Sequence, residues 1–373
     1  MVKTCKKWYA LLIFLLFCAT VPLSGCDSKS KNNENQAATN ISWRKNNSNN
    51  MTCYTNYLIS GGMMTESENG YYYIIKKDNC RNIMFFDKKL GKSTVLCNSP
   101  NCTHDTEECS AFLDASLNPS IQYYGGYIYY IGKDKEQNKY LYQMSPTGTE
   151  RKKLFMLCSA DEGYECKIWL NNDTLIYYIM NNKNTAFKIY SIDMKTNLKK
   201  EVADLDGQHI GDIKFFDDTI VIDITDKQYT NYYKCDLKSN TLTAIKTGCS
   251  QGGSYTVADG VVYYPDNHII ECYDLKNNKK LNNLLETDGD CFLSYDNNYI
   301  YAHIRKDNKN YETIIYDKEN NIVDTIVYDE KMQNAMAMIF GGDDFLFINY
   351  GNNKWYHMDK SQIGKETKYW VEN

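Results

Sequence analysis

From about residue 54 onward the chain alternates between short apolar runs and short polar ones. The apolar runs are rich in Tyr, Ile and Val, residues that suit a pleated, half-buried surface. One run recurs seven times: Tyr71-Tyr-Tyr-Ile74, Tyr127-Ile-Tyr-Tyr130, Leu175-Ile-Tyr-Tyr178, Ile220-Val-Ile-Asp223, Val261-Val-Tyr-Tyr264, Tyr299-Ile-Tyr-Ala302 and Phe345-Leu-Phe-Ile348. Most copies follow a turn pair such as Gly125-Gly126, Asn171-Asn172, Asp217-Asp218, Asp259-Gly260, Asn297-Asn298 or Gly341-Gly342. Gly, Asn and Asp tolerate the positive φ angles that two-residue hairpins need. Each copy leads to another strand-like run. Six of these end on Asp, at 87, 193, 236, 274, 317 and 359, and the remaining one ends on Ser145. Further strands are predicted at Ser93–Leu96, Lys153–Met156, Leu242–Ile245 and Ile322–Val327.

The recurring runs start 56, 48, 45, 41, 38 and 46 residues apart. Four short antiparallel strands in roughly 40–45 residues is the spacing of a propeller blade. A sandwich also has evenly spaced strands, but it does not repeat one strand–turn–strand–Asp phrase. The fold class is therefore all-β, a β-propeller over residues 54–373 with seven four-stranded blades. Six blades plus a partial unit is the alternative, because the first unit and the closure carry the weakest signal. Tyr369-Trp-Val371 is expected to close the ring, alone or beside Tyr57-Leu-Ile59.

The first 53 residues follow a different pattern. Lys3, Lys6 and Lys7 precede an apolar run from Trp8 to Thr20, then Leu23-Ser24-Gly25-Cys26. This order is that of a secretory signal, and the apolar run is short of the ~20 residues a membrane span needs. Leu-Ser-Gly-Cys resembles the lipobox of bacterial lipoproteins. The resemblance implies cleavage after residue 25 and acylation of Cys26 with fatty acids such as palmitate. More than one acyl chain anchors stably, at ~0.8 kcal/mol per buried CH₂. Residues 26–53 are then a lipidated, flexible polar linker, since they hold too few apolar groups to offset the entropy of ordering. The expected location is the extracytoplasmic face of a cell membrane.

Lipobox and repeats together resemble lipoproteins of Gram-positive, AT-rich bacteria with an uncharacterised extracytoplasmic propeller. The fold is similar to low-density-lipoprotein-receptor-like and quinoprotein-like propellers, although no Tyr-Trp-Thr-Asp phrase occurs here. Charge narrows the partners. Losing three lysines with the signal takes the basic count from 42 to 39 against 47 acids, a net charge of −8. That balance disfavours nucleic acid. A monomer is expected, with a peptide, glycan or protein ligand.

Candidate chemistry is sparse. The recurring Asp residues keep the repeat period, so they are read as turn residues that bond nearby backbone N–H groups. One insertion breaks the period and holds Cys97, Cys102, His104 and Cys109. Three thiols and an imidazole could supply a tetrahedral zinc site. Disulfide bonding outside the cell is the other reading. Setting aside Cys5, Cys18 and Cys26, 11 of the 14 cysteines remain, so at least one stays free, pairs between molecules or binds something. The remaining histidines, His209, His268, His303 and His357, are scattered, and the abundant tyrosines occupy strand positions that read as core. Alternate connections of a meander leave by the same end. The insertion, the 158–166 segment and the loops at 133–139, 181–185, 226–231 and 306–310 are therefore expected on one recognition face.

These features favour a non-enzymatic binding or scaffolding module. A carbohydrate-active or other hydrolytic enzyme is the alternative, and it requires converging acids off the repeat positions, lining the funnel. A metal-binding or sensor lipoprotein is the third reading.

Overall fold

The computed structural model describes residues 63–372 apart from short stretches, among them 181–186, 206–208, 307–310, 329–331, 333–335, 340–343 and 350–353. The signal segment, Cys26, the linker and Tyr57-Leu-Ile59 lie outside the described residues.

The strands form seven sheets that follow one another along the chain. The first contains β1 (Met64–Ser67), β2 (Gly70–Lys76), β3 (Cys80–Asp87) and β4 (Lys92–Val95), paired in that order, with a short β5 (Phe112–Asp114) also on β3. The next six start at Ile121, Glu165, His209, Thr256, Asp290 and Met336. They are blades 2 to 7 of a β-propeller. The first unit, faint in the sequence, forms a full sheet, as does the last. Burial falls from the inner edge outward: β1 is wholly buried, whereas β4 and the outer strand Lys279–Lys280 are mostly exposed.

Local chemistry sets the turns. Gly125 and Gly126 have φ of 56° and 83°, and Asp259 and Gly260 of 49° and 85°. These are the left-handed conformations that a tight hairpin demands. The repeating Asp residues do what their period implies. Asp87 Oδ1 accepts the N–H groups of Lys89 and Leu90. Asp193 accepts those of Lys195 and Thr196, Asp236 those of Lys238 and Ser239, and Asp274 those of Lys276 and Asn277. Asp317 and Asp359 act alike, and Ser145 Oγ substitutes by accepting from Glu150 N–H.

Among the described residues, strand ladders stay almost entirely within a blade; the exception is Gly253–Ser254, which pairs with Cys291 and Phe292 of blade 6. Neighbouring blades cohere mainly by apolar side chains. Tyr72, Ile121 and Tyr130 fill the first junction, and Leu141, Ile168 and Tyr177 the second. Ile189 and Ile222 share the third, Tyr232, Tyr255 and Tyr264 the fourth, Ile270 and Leu293 the fifth, and Tyr301 and Met358 the sixth. The largest fully buried side chains are all tyrosines, so the excess of tyrosine is core material. At the last junction Trp355 of blade 7 packs edge-on against Phe86 and Tyr71 of blade 1, with ring centroids 4.6 and 5.8 Å away.

That contact corrects the expected closure. Val371–Glu372 pairs with Tyr356 and His357 as the outer strand of blade 7. The C-terminal segment thus completes its own blade. Blade 1 already takes four strands from its own stretch of chain.

Two outcomes follow. Trp355→Ala should cost about 3–5 kcal/mol in urea unfolding, the usual range for deleting a buried aromatic; truncation before the half-exposed Val371 should cost less. Backbone amides hold the Asp193 and Asp236 carboxyls below their ordinary range. Their contribution is present above the unfolded value of about 3.9 and is lost as pH falls through the depressed folded value. An Asp193→Asn/Asp236→Asn variant, followed by urea midpoints against pH, should lose less stability in that acid window than the parent.

Candidate metal centre

The insertion begins where the outer strand of blade 1 is interrupted. β4 pairs with residues 84–87 of β3 and β5 with residues 80–82, on the same edge. Ile83 between them donates to Ala111 O and accepts from Leu96 N–H. Residues 97–110 are therefore an excursion from within an outer strand. This corrects the sequence expectation, which put them in the connection between blades and on the loop face. They lie on the flank of blade 1, against blade 2. The chain passes to blade 2 after β5.

The excursion folds back on itself. Asn101 and His104 adopt left-handed φ of 60° and 62°, a conformation tolerated best by Asn, Asp and His among residues with a side chain. Cys102 N–H bonds Ser99 O and Cys109 N–H bonds Thr106 O. The result brings together the four residues named from the sequence. The ligand atoms of Cys97, Cys102, His104 and Cys109 all lie within 4.8 Å of one another, and His104 Nδ1 is 3.3 Å from Cys109 Sγ. A tetrahedral zinc with bonds of about 2.0–2.3 Å holds its donors about 3.5–3.8 Å apart, so shifts of about 1 Å or less would seat an ion among them.

Two of the thiols are shifted in opposite directions. Burial opposes ionisation of Cys97, but the Ser99 N–H and the neighbouring Cys109 and Cys102 thiols bring it down overall. Burial pushes Cys109 up, against a hydrogen bond from Ala111 N–H. Backbone N–H groups thus point at two of the three sulfurs, the kind of outer contact that fixes metal ligands. A cation would remove the opposition that burial creates at Cys109.

Two residues that sequence reasoning missed hold the excursion in place. Asn82, fully buried in β3, donates to His104 O at 2.7 Å. Arg151, in the outer strand of blade 2, donates to Cys109 O and Glu107 O at 3.3 and 3.2 Å. A signal existed: the chain has four arginines, and a second, Arg81, donates to Ala115 O just past β5.

Comparison with known proteins bears on the fold. No family model and no curated protein matches the sequence. Among solved structures the chain is similar to a prolyl endopeptidase, at 12% identity and TM-score 0.59, over 86% of this chain and 50% of that one. A puromycin-hydrolyzing peptidase of Mycobacterium tuberculosis matches at 9% identity and TM-score 0.52, over 76% and 50%. The chain thus spans about half the length of these two proteins. An uncharacterized protein of Listeria monocytogenes matches at 13% identity and TM-score 0.52, over 86% and 94%. The shared feature is the β-propeller.

Asp223 is an acid off the repeat positions, and burial, with Asp212 beside it, pushes it up to about 7. It is buried and accepts the Asp212 N–H. His303 is likewise internal, bonded to Ser294 and Thr313 at 2.8 Å each, and burial drives it down to about 3. A cavity of about 650 Å³ between blades 2 and 3 is lined by Tyr124, Tyr129, Phe155, Asp173 and Lys195 among others. Lys195 and the Tyr124 hydroxyl hold Asp173 below its ordinary range, suiting it poorly as a proton donor. Turn residues such as Asp173 and Asn197 place this cavity at the strand ends opposite the longer loops.

The clamp on the excursion is testable. Arg151→Ala should weaken zinc binding by ~10–100-fold, the usual effect of losing an outer-shell partner, in competition with a chromophoric chelator. Cys109→Ser should abolish tight binding.

Proposed function

We propose that this chain is a non-enzymatic binding or scaffolding module, tethered by a lipid on Cys26 to the extracytoplasmic face of a membrane, whose propeller is braced by a structural zinc ion at Cys97, Cys102, His104 and Cys109. One observation carries the reading. The cluster offers four protein donors, three sulfurs and one nitrogen, within a single shell. Structural zinc sites are closed by four protein ligands, while catalytic sites keep a position for water. A disulfide would engage two of the three sulfurs and leave the third and the imidazole without a role; a metal engages all four.

The position supports bracing. The shell lies on the excursion that Asn82 ties to blade 1 and Arg151 ties to blade 2. The loop ends suit recognition. Ala160 N–H bonds the Asn138 side chain and Lys139 donates to Gly163 O, so the 134–138 and 159–163 loops stand together as one ordered surface. This is where a peptide, glycan or protein partner would dock.

Metal analysis of the full chain, purified without chelator, tests the shell: one zinc per chain, lost in Cys97→Ser and Cys102→Ser variants. Zinc-free protein with all four residues intact would sink it. Detergent phase partitioning tests the tether. The protein from its native host should enter the detergent phase and the Cys26→Ser variant the aqueous one.

A further inference from the structure

A second cysteine pair, outside the metal cluster, spans the next junction. Cys158 ends the outer strand of blade 2 (Arg151–Cys158), and Cys166 lies in the inner strand of blade 3 (Glu165–Asn171). Their sulfurs stand 3.3 Å apart. Both are buried, at 1% and 2% exposure, in the apolar cluster with Leu157, Ile168, Tyr177 and Ile179. A thiol is a weak donor and a weak acceptor, so this contact gives little as a hydrogen bond. It places two sulfurs where a modest shift brings them to bonding distance, about 2.05 Å.

The surrounding chain is shaped for that approach. Residues 159–163 make a tight turn in which Ser159 N–H and Oγ both donate to Glu162 Oε2, and Gly163 N–H donates to Ser159 O. A Cβ on Gly163 would stand 2.4 Å from Ile179 Cγ2 and 3.1 Å from Cys158 Sγ, so the turn closes over the pair only with glycine. Lys139, itself buried, donates to Gly163 O at 2.6 Å. The neighbouring Cys166 thiol, opposed by burial and helped by the Lys139 charge, favours the Cys158 thiolate, the form that attacks a disulfide.

We propose that Cys158 and Cys166 form a disulfide that joins blade 2 covalently to blade 3. The oxidant is an organic disulfide, of a protein or a small molecule, as an extracytoplasmic setting provides; to that extent the inference rests on the exported reading above. The Cys158 thiolate attacks one donor sulfur, the donor S–S bond breaks and one donor thiol leaves. The Cys166 thiolate then attacks Cys158 Sγ in the mixed disulfide and displaces the second donor thiol. Two protein thiols are oxidised, one donor disulfide is reduced, and the two protons end on the donor thiols. Because both sulfurs are buried, exchange precedes closure of the junction or accompanies opening of the 159–163 turn.

The test uses the full chain equilibrated in glutathione buffers of defined ratio, then denatured and alkylated without reductant. Trypsin leaves both cysteines on peptide 154–167, expected unalkylated and about 2 Da light. Cleavage after Glu162 should give two pieces that separate only on reduction. Cys158→Ser should leave Cys166 alkylated. Reduction should lower the urea midpoint of the parent but not of a Cys158→Ala/Cys166→Ala variant. Full alkylation of both residues in excess oxidised glutathione, linkage of either to another cysteine, or a parent midpoint insensitive to reduction overturns the proposal. The Cys26→Ser chain run alongside should form the same link, so a failed tether and a failed disulfide give separate results.

Discussion

Cohesion between blades rests on apolar side chains, because backbone hydrogen bonding is spent almost wholly inside each sheet. A blade alone has one protected face at best, and short antiparallel sheets gain stability only by burying a face against a neighbour. Here the first six junctions are filled mainly by Ile, Leu, Val, Met and Tyr, and the last by Trp355 against Phe86 and Tyr71. No shared strand locks the first blade to the last among the described residues. The ring is therefore as firm as its side-chain packing, and polar or covalent ties at individual junctions gain value in proportion.

The two cysteine clusters fall at such places. Cys97, Cys102, His104 and Cys109 sit on the flank of blade 1, tied across to blade 2 through Arg151. Cys158 and Cys166 meet where blade 2 gives way to blade 3. Consecutive junctions are thus each supplied with sulfur chemistry that apolar packing does not need. Gly163, Asn82 and the left-handed His104 make sense in the same terms, as backbone adjustments that bring sulfur or nitrogen to a set point.

Much of this was legible in the sequence where the backbone demands a residue type. Gly125-Gly126 and Asp259-Gly260 marked hairpins because few residues accept positive φ. The Asp period marked turns because a short carboxylate can reach two N–H groups. The Cys/His spacing marked one cluster because those ligands are close in sequence. What could not be read depends on tertiary neighbours. β4 is four residues long and mostly exposed, so nothing in its pattern showed that it resumes as β5 after the excursion. Asn82 and Arg151 are single polar residues whose roles exist only once two blades are adjacent. Trp355 looked like any other apolar residue of a repeat until blade 7 met blade 1. The Cys158–Cys166 contact joins strands in different sheets, and spacing alone does not bring their sulfurs together.

The central claim is that a thiolate-rich shell on the flank of blade 1 holds a structural metal ion and that the propeller's first junction is braced through it. X-ray absorption at the zinc edge of the purified full chain tests it most directly. The account predicts three sulfur neighbours at about 2.3 Å and one nitrogen at about 2.0–2.1 Å, with no bound water. A shell of oxygen and nitrogen only, or one with an open water position, would contradict it.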